Sequence, residues 1–175
     1  MKSRLLGALN AILIMLLVTA GLVWAVTAMT NDDPLWFVRS FTAQADWIVI
    51  YWDGETTMLF PGDPGYDAVM SAFADMVGHW SGYEGGTGLS DENLERYRNE
   101  WRLLEVHYND PVYVHTRHLY PKARVFFVPL SGTHANWRRI FAGLQDTPRA
   151  GVLNATEARF ARLLTTVERV VQPSH

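Results

Sequence analysis

Three of the six histidines, His107, His115 and His118, fall within a short stretch that also holds Glu105. Imidazole and carboxylate are the ligands of choice for zinc and related ions, so this stretch is the first place to look for a metal. Glu105 and His107 are two residues apart in an apolar, β-rich run and therefore share one face of a strand. Asn109-Asp110-Pro111 reads as a turn, with Leu103–Tyr108 and Val112–Arg117 as the arms of a hairpin. In that register His107 pairs with Val112, and His115 sits opposite Leu104 on the other face. The register separates His107 from His115, and a one-residue slip would reunite them. Structural zinc favours four ligands and usually thiolates, and the chain has no cysteine. Exposed strand histidines are the expectation, with Glu105, His107 and His115 as the residues to watch for a metal.

Ser131-Gly-Thr-His134 offers a nucleophile and a base in one loop after a strand. It lacks the Gly-x-Ser-x-Gly elbow of the α/β-hydrolases, because Pro129 stands where the first glycine belongs. Ser131 and His134 are thus the candidate pair for an anchored hydrolase, the last of three functional readings. Asp53, Glu55, Asp63 and Asp67 lack the spacing of a calcium loop. Asp91 and Glu92 suit a helix N-terminus. Asn154-Ala-Thr156 matches a glycosylation acceptor, and Asn154 with Glu157 equally suits a helix cap. No cofactor motif is present, and none is expected to bind.

The element that places all these residues is the uncharged run Leu5 to Met29. A spanning helix needs about 20 apolar residues, and a signal-peptide core has about 7–15. The run exceeds both and reads as an uncleaved transmembrane helix over residues 5–29 rather than a cleaved signal, although Ala25-Val-Thr-Ala28 resembles a weak cleavage site. Lys2 and Arg4 precede the run and Asp32 and Asp33 follow it, so residues 1–4 should be cytoplasmic and the rest of the chain outside the cell membrane. Trp24 belongs at headgroup level. Residues 30–46 bridge membrane and domain. Asp33-Pro34 signals a helix start, and Trp36, Phe37 and Phe41 then suit either packing on the domain or an interfacial helix on the headgroups.

Residues 47–175 form one domain of ordinary size. Beyond residue 30 stand 13 basic and all 18 acidic side chains, a net of −5, which argues against nucleic acid as a partner. Trp47–Phe60 is a hairpin around Asp53-Gly54, its first arm apolar enough to be a central strand. Asp63 and Pro64 should begin a helix carrying Tyr66, Val69, Met70, Phe73, Met76, Val77 and Trp80 on one stripe. Gly82–Gly88 reads as a loop. Ser90 caps a second helix, Ala123–Leu130 is a strand ending at Pro129, and Trp137–Leu144 is a further strand. Phe160, Leu163, Leu164, Val167, Val170 and Val171 mark a C-terminal amphipathic helix.

Fold class is therefore α+β: one N-terminal transmembrane helix, then a mostly antiparallel sheet with about three helices packed on one face. Six tryptophans outside the span exceed the needs of such a core, and tryptophan is enriched at interfaces. The first functional reading is a non-catalytic accessory or assembly subunit of a membrane complex, with the lipid bilayer and other membrane-protein subunits as partners. Trp24, Trp36, Phe37 and Phe41 are its candidate interface. The rival is a membrane-anchored ligand-binding or sensor domain. Met1 to Arg4 carries no signalling domain, so a sensor would need a partner to pass its message inward.

Overall fold

The computed structural model describes residues 2–31, 33–35, 37–38, 40–84, 88–115, 122–144, 148 and 151–172. Helix α1, Lys2–Asn31, opens the chain. Its segment Leu6–Thr30 has a mean hydropathy of 2.4 over its most apolar window, and none of that window is buried by the rest of the protein. At about 1.5 Å per residue such a helix matches a hydrocarbon layer about 30 Å thick. By length and composition it can cross a membrane.

The domain is built on one seven-stranded sheet in the order β2-β1-β4-β5-β6-β7-β3. Every pairing among the described residues is antiparallel. Strands β1 (Trp47–Trp52) and β2 (Glu55–Leu59) form the expected hairpin. Asp53 and Gly54 take φ of 51° and 88°, the primed turn whose twist suits two strands. β1 then pairs with β4 on its other side, which explains its apolar sequence.

Helix α2, Tyr66–Gly78, carries the predicted stripe, with Tyr66, Val69, Met70, Phe73, Met76 and Val77 buried. Its start differs from expectation. The Asp63 carboxylate accepts from the Phe60 amide at 2.8 Å and closes the preceding turn, and Gly65 occupies the cap with φ 91°. A Cβ on Gly65 would lie 2.7 Å from Val170 Cγ2 of the C-terminal helix, so both the backbone angle and the close approach require glycine there. Strand β3, Gly82–Glu84, occupies part of what reads as a loop in the sequence.

Helix α3, Asp91–Asn99, begins at Ser90, whose hydroxyl accepts from the Asn93 amide at 3.3 Å. Ser90→Ala should cost about 1 kcal/mol of stability, read as a shift in the denaturant midpoint.

Strand β4 runs unbroken over Arg102–Val112, and the expected turn at Asn109-Asp110-Pro111 is absent. Two features let the strand continue. Asp46 accepts from both the Asn109 amide and its Nδ2 at 2.7 Å, which occupies the groups that would fold a turn. Pro111, which has no N–H, falls where the β4–β5 pairing is irregular, between His107 and Val112. The hairpin partner of β4 is therefore β5, Ala123–Pro129, with Pro129 at the strand end as expected. Ser131 to His134 enters a one-turn helix, α4 (Gly132–Asn136), instead of a loop. Strands β6 (Arg139–Gly143) and β7 (Gly151–Asn154) complete the sheet. Asn154 ends β7, and Thr156, not Asn154, stands at the cap of α5, Glu157–Val171.

Helices cover both sheet faces, contrary to the one-face expectation. α2 and α5 pack on Ile48, Ile50, Leu104, Val106, Phe126, Val128 and Ile140. The alternate residues Leu103, Phe127, Phe141 and Val152 form a second core with Leu94 and Tyr97 of α3. Central strands apolar at both parities need cover on both sides.

Candidate functional site

The second sheet face carries two polar clusters flanking α3. The first centres on Glu105, 1% exposed on β4. Its Oε1 accepts from Arg98 Nε of α3 at 2.7 Å, and its Oε2 lies 3.0 Å from His107 Nε2. Glu105 and His107 thus share a face, as the i,i+2 spacing requires. His107 is buried, not exposed as expected. Trp47, its cross-strand neighbour on β1, stacks on the imidazole with centroids 4.8 Å apart and planes 12° from parallel. Arg98 also lies over the Tyr51 ring. A covered carboxylate held by a guanidinium and an imidazole is chiefly a clamp: it ties α3 to the sheet and fixes the ring.

His115 lies beyond the end of β4 and does not join His107. Its Nδ1 sits 2.9 Å from Asp33 Oδ2, so it links the domain to the chain leaving α1. His118 falls outside the described residues. Among the described residues no group of three or more His, Cys, Asp or Glu side chains is placed to hold a metal ion.

The second cluster surrounds His134. Burial, then the positive charge of Arg139, pushes the His134 imidazole below its ordinary pKa and favours the neutral form. Its Nδ1 lies 3.1 Å from the hydroxyl of Tyr97, a fully buried residue of α3 whose own pKa is raised by burial. The tautomer of the imidazole sets which of the two atoms donates in this hydrogen bond. The ring edge also meets Phe141 at 5.5 Å and Trp137 at 6.0 Å. Ser131 faces elsewhere: its Oγ accepts from the Arg102 amide at 3.0 Å and ties the start of α4 to β4. Among the described residues no hydrogen bond joins Ser131 to His134.

The lowered pKa has a consequence for stability. In the unfolded chain His134 titrates near the ordinary 6.5, and in the fold it titrates lower. Between those points the unfolded state binds more protons, so stability rises with pH and falls as pH drops through that window. Acidification should therefore lower the melting temperature, and His134→Gln should remove that part of the pH dependence. A melting curve taken across the window for both proteins checks it.

Next to His134 the surface opens into a depression of about 480 Å³, bordered by Ser81, Glu84, Trp137, Arg138, Arg139 and Asn154. Asn154 is the hinge of this site, since it pairs with Gly82 on one side and Arg139 on the other. Arg139 Nη2 donates to Glu84 Oε2 at 2.8 Å, and its guanidinium lies 4.5 Å from the centre of the Trp137 ring. Asn154 Nδ2 donates to Glu84 Oε1 at 3.3 Å. Trp137 itself is 53% exposed. Arg138 takes φ 54°, uncommon for a residue with a side chain, where the chain turns from α4 into β6. Sequence reading passes over this site. Its only local signal is Trp137-Arg138-Arg139, an aromatic and two cations within an acidic domain.

At the end of α1, Trp24 Nε1 donates to the Pro34 carbonyl at 3.1 Å, and the ring is half-exposed. Asp33 Oδ1 accepts from the Leu35 amide at 2.9 Å, closing a turn; no helix follows among the described residues up to Trp47. Phe37 is exposed, and Trp36 lies outside the described residues. Phe41 is a correction. It is buried in the core, edge-on to Phe73, Phe126 and Tyr108 at 5.9, 5.7 and 6.2 Å, and does not face lipid or a partner. An aromatic side chain offered three buried ring edges gains more there than at headgroup level.

Comparison with known proteins found no matching family model, no matching curated protein and no matching solved structure.

Proposed function

We propose that this chain is a single-pass membrane protein whose domain lies outside the cytoplasm and works by binding, as a non-catalytic accessory or assembly subunit of a membrane complex. One observation carries the reading. The segment Leu6–Thr30 is uncharged, has Asn10 as its one strongly polar side chain and is not covered by the domain, so its surface needs lipid or another membrane helix to cover it. Lys2 and Arg4 on the N-terminal side favour a cytoplasmic N-terminus. Exposed Leu35 and Phe37 just past the helix supply apolar surface at the depth where a membrane partner or headgroups lie. Membranes solubilised in mild detergent and run on a native gel test this. The chain should migrate in a large assembly with reproducible companions identified by mass spectrometry. Migration alone, or as a small homo-oligomer, would overturn the subunit reading.

A second reading, an anchored ligand-binding domain, is favoured by the depression beside Trp137. It combines an exposed aromatic plane with several fixed polar groups, the usual make-up of a small-ligand site.

A further inference from the structure

We propose that the depression beside Trp137 binds a sugar acid, a single hexuronate-type ring whose carboxylate meets Arg138 and Arg139 while its carbon face lies on Trp137.

The hydrogen-bond inventory points to an anion. Among the described residues, Arg138 uses only Nε, on the Ala155 carbonyl at 3.4 Å, so its two Nη groups have no acceptor. Arg139 uses only Nη2, on Glu84, and its covered Nε meets none. Both Glu84 oxygens are already engaged, one by Arg139 and one by Asn154. The site therefore has surplus donors, one more positive than negative charge, and no free carboxylate. A ligand that brings oxygen acceptors and a negative charge completes it, and a planar carboxylate matches the guanidinium fork.

The size of the anion is limited from two directions. The volume, about 480 Å³, admits one or two small rings. The chain beyond residue 30 is acidic overall, 13 basic against 18 acidic side chains, which repels a polyanion but accepts a single charge held by two arginines. A sugar ring fits the remaining features. Its C–H face suits the half-open Trp137 plane, and its hydroxyls suit the Ser81, Asn136 and Asn154 polar groups at the rim. The strained Arg138 backbone is consistent with a site held in shape: backbone in this region concentrates at ligand clamps.

The test is titration of the full chain in mild detergent with glucuronate, followed by calorimetry and by tryptophan fluorescence. Glucose, acetate and inorganic phosphate serve as separate arms. Glucuronate should bind saturably and at least about 10-fold more tightly than any of the three. Trp137→Ala should weaken it about 10-fold or more. Arg138→Gly, which keeps the left-handed backbone, should weaken glucuronate by a similar factor and leave it no better than glucose. Both variants change exposed or half-exposed side chains, and an unchanged melting temperature would confirm that each folds. No saturation by about 10 mM glucuronate overturns the proposal. So does equal or tighter binding of glucose, acetate or phosphate, or wild-type affinity in the folded variants. The native-gel result for the intact membrane is independent of this outcome, because it depends on α1 and not on Trp137.

Discussion

Glu105→Ala should cost about 1–3 kcal/mol of folding stability, the usual consequence of removing the acceptor from a covered hydrogen-bond cluster. Glu105 is 1% exposed and joins Arg98 Nε and His107 Nε2, at 2.7 and 3.0 Å. Alanine would remove the acceptor that Arg98 Nε and His107 Nε2 share and leave a void beside a buried imidazole. A domain of this size is stable by only about 5–15 kcal/mol, so the loss is a large share of the total. Two companion variants separate charge from packing. Glu105→Gln keeps the volume and one acceptor oxygen, and should lose less than alanine. The triple replacement Arg98→Met, Glu105→Leu and His107→Phe removes every charge at similar volume and should recover most of the loss, because desolvation offsets much of what a buried pair gains. Chemical denaturation followed by tryptophan fluorescence reads all three, with Trp47 stacked on His107 as the local reporter. A loss below about 1 kcal/mol for alanine would mean that the cluster does not hold α3 to the sheet.

The same cluster shows which contacts a sequence discloses. The Glu105–His107 contact follows from i,i+2 spacing on one strand and is legible. Arg98 and Trp47 are not, because they arrive from α3 and from β1, and nothing local says which strand lies beside β4. The elements written by local physics were readable: the Asp53-Gly54 turn, the stripe of α2, the Ser90 cap of α3 and the apolar face of α5. Elements held by distant partners were not. β3 has three half-buried residues and exists because it pairs with β7, some 70 residues on. The Trp137 depression depends on that pairing, since Glu84 reaches Arg139 and Asn154 only once β3 docks on β7. Asn109-Asp110-Pro111 carried a strong turn signal that tertiary contacts from Asp46 overrode. Phe41 shows the same effect on a side chain: its place after the apolar helix suited either an interface or packing on the domain, and three ring edges in the core decide for packing.

Placing two arginines in the middle of α1, Leu16→Arg with Leu17→Arg, should move the chain from the membrane pellet to the soluble fraction after alkaline carbonate washing. Both leucines are exposed, at 60% and 64%. Each central arginine costs about 2.5–3.5 kcal/mol and each lost leucine a further ~0.3–0.6, so the pair shifts insertion by about 6–8 kcal/mol. Retention of the double variant in the pellet would contradict the anchor. Intact-mass measurement of the wild-type chain from membranes addresses cleavage, because a removed signal would leave a chain beginning near Ala28 and an anchor would keep residues 1–28. The domain itself should be indifferent to the double change, since the core gains nothing from α1. The contrast with α5 explains why. α5 buries Phe160, Leu163 and Val167 along one face and turns Arg162 and Arg169 outward, which is how a helix serves a core in water. The segment Leu6–Thr30 of α1 carries no charge on any side, and none of its most apolar window is buried. A helix of that kind has no stable place in water, and the domain does not cover it.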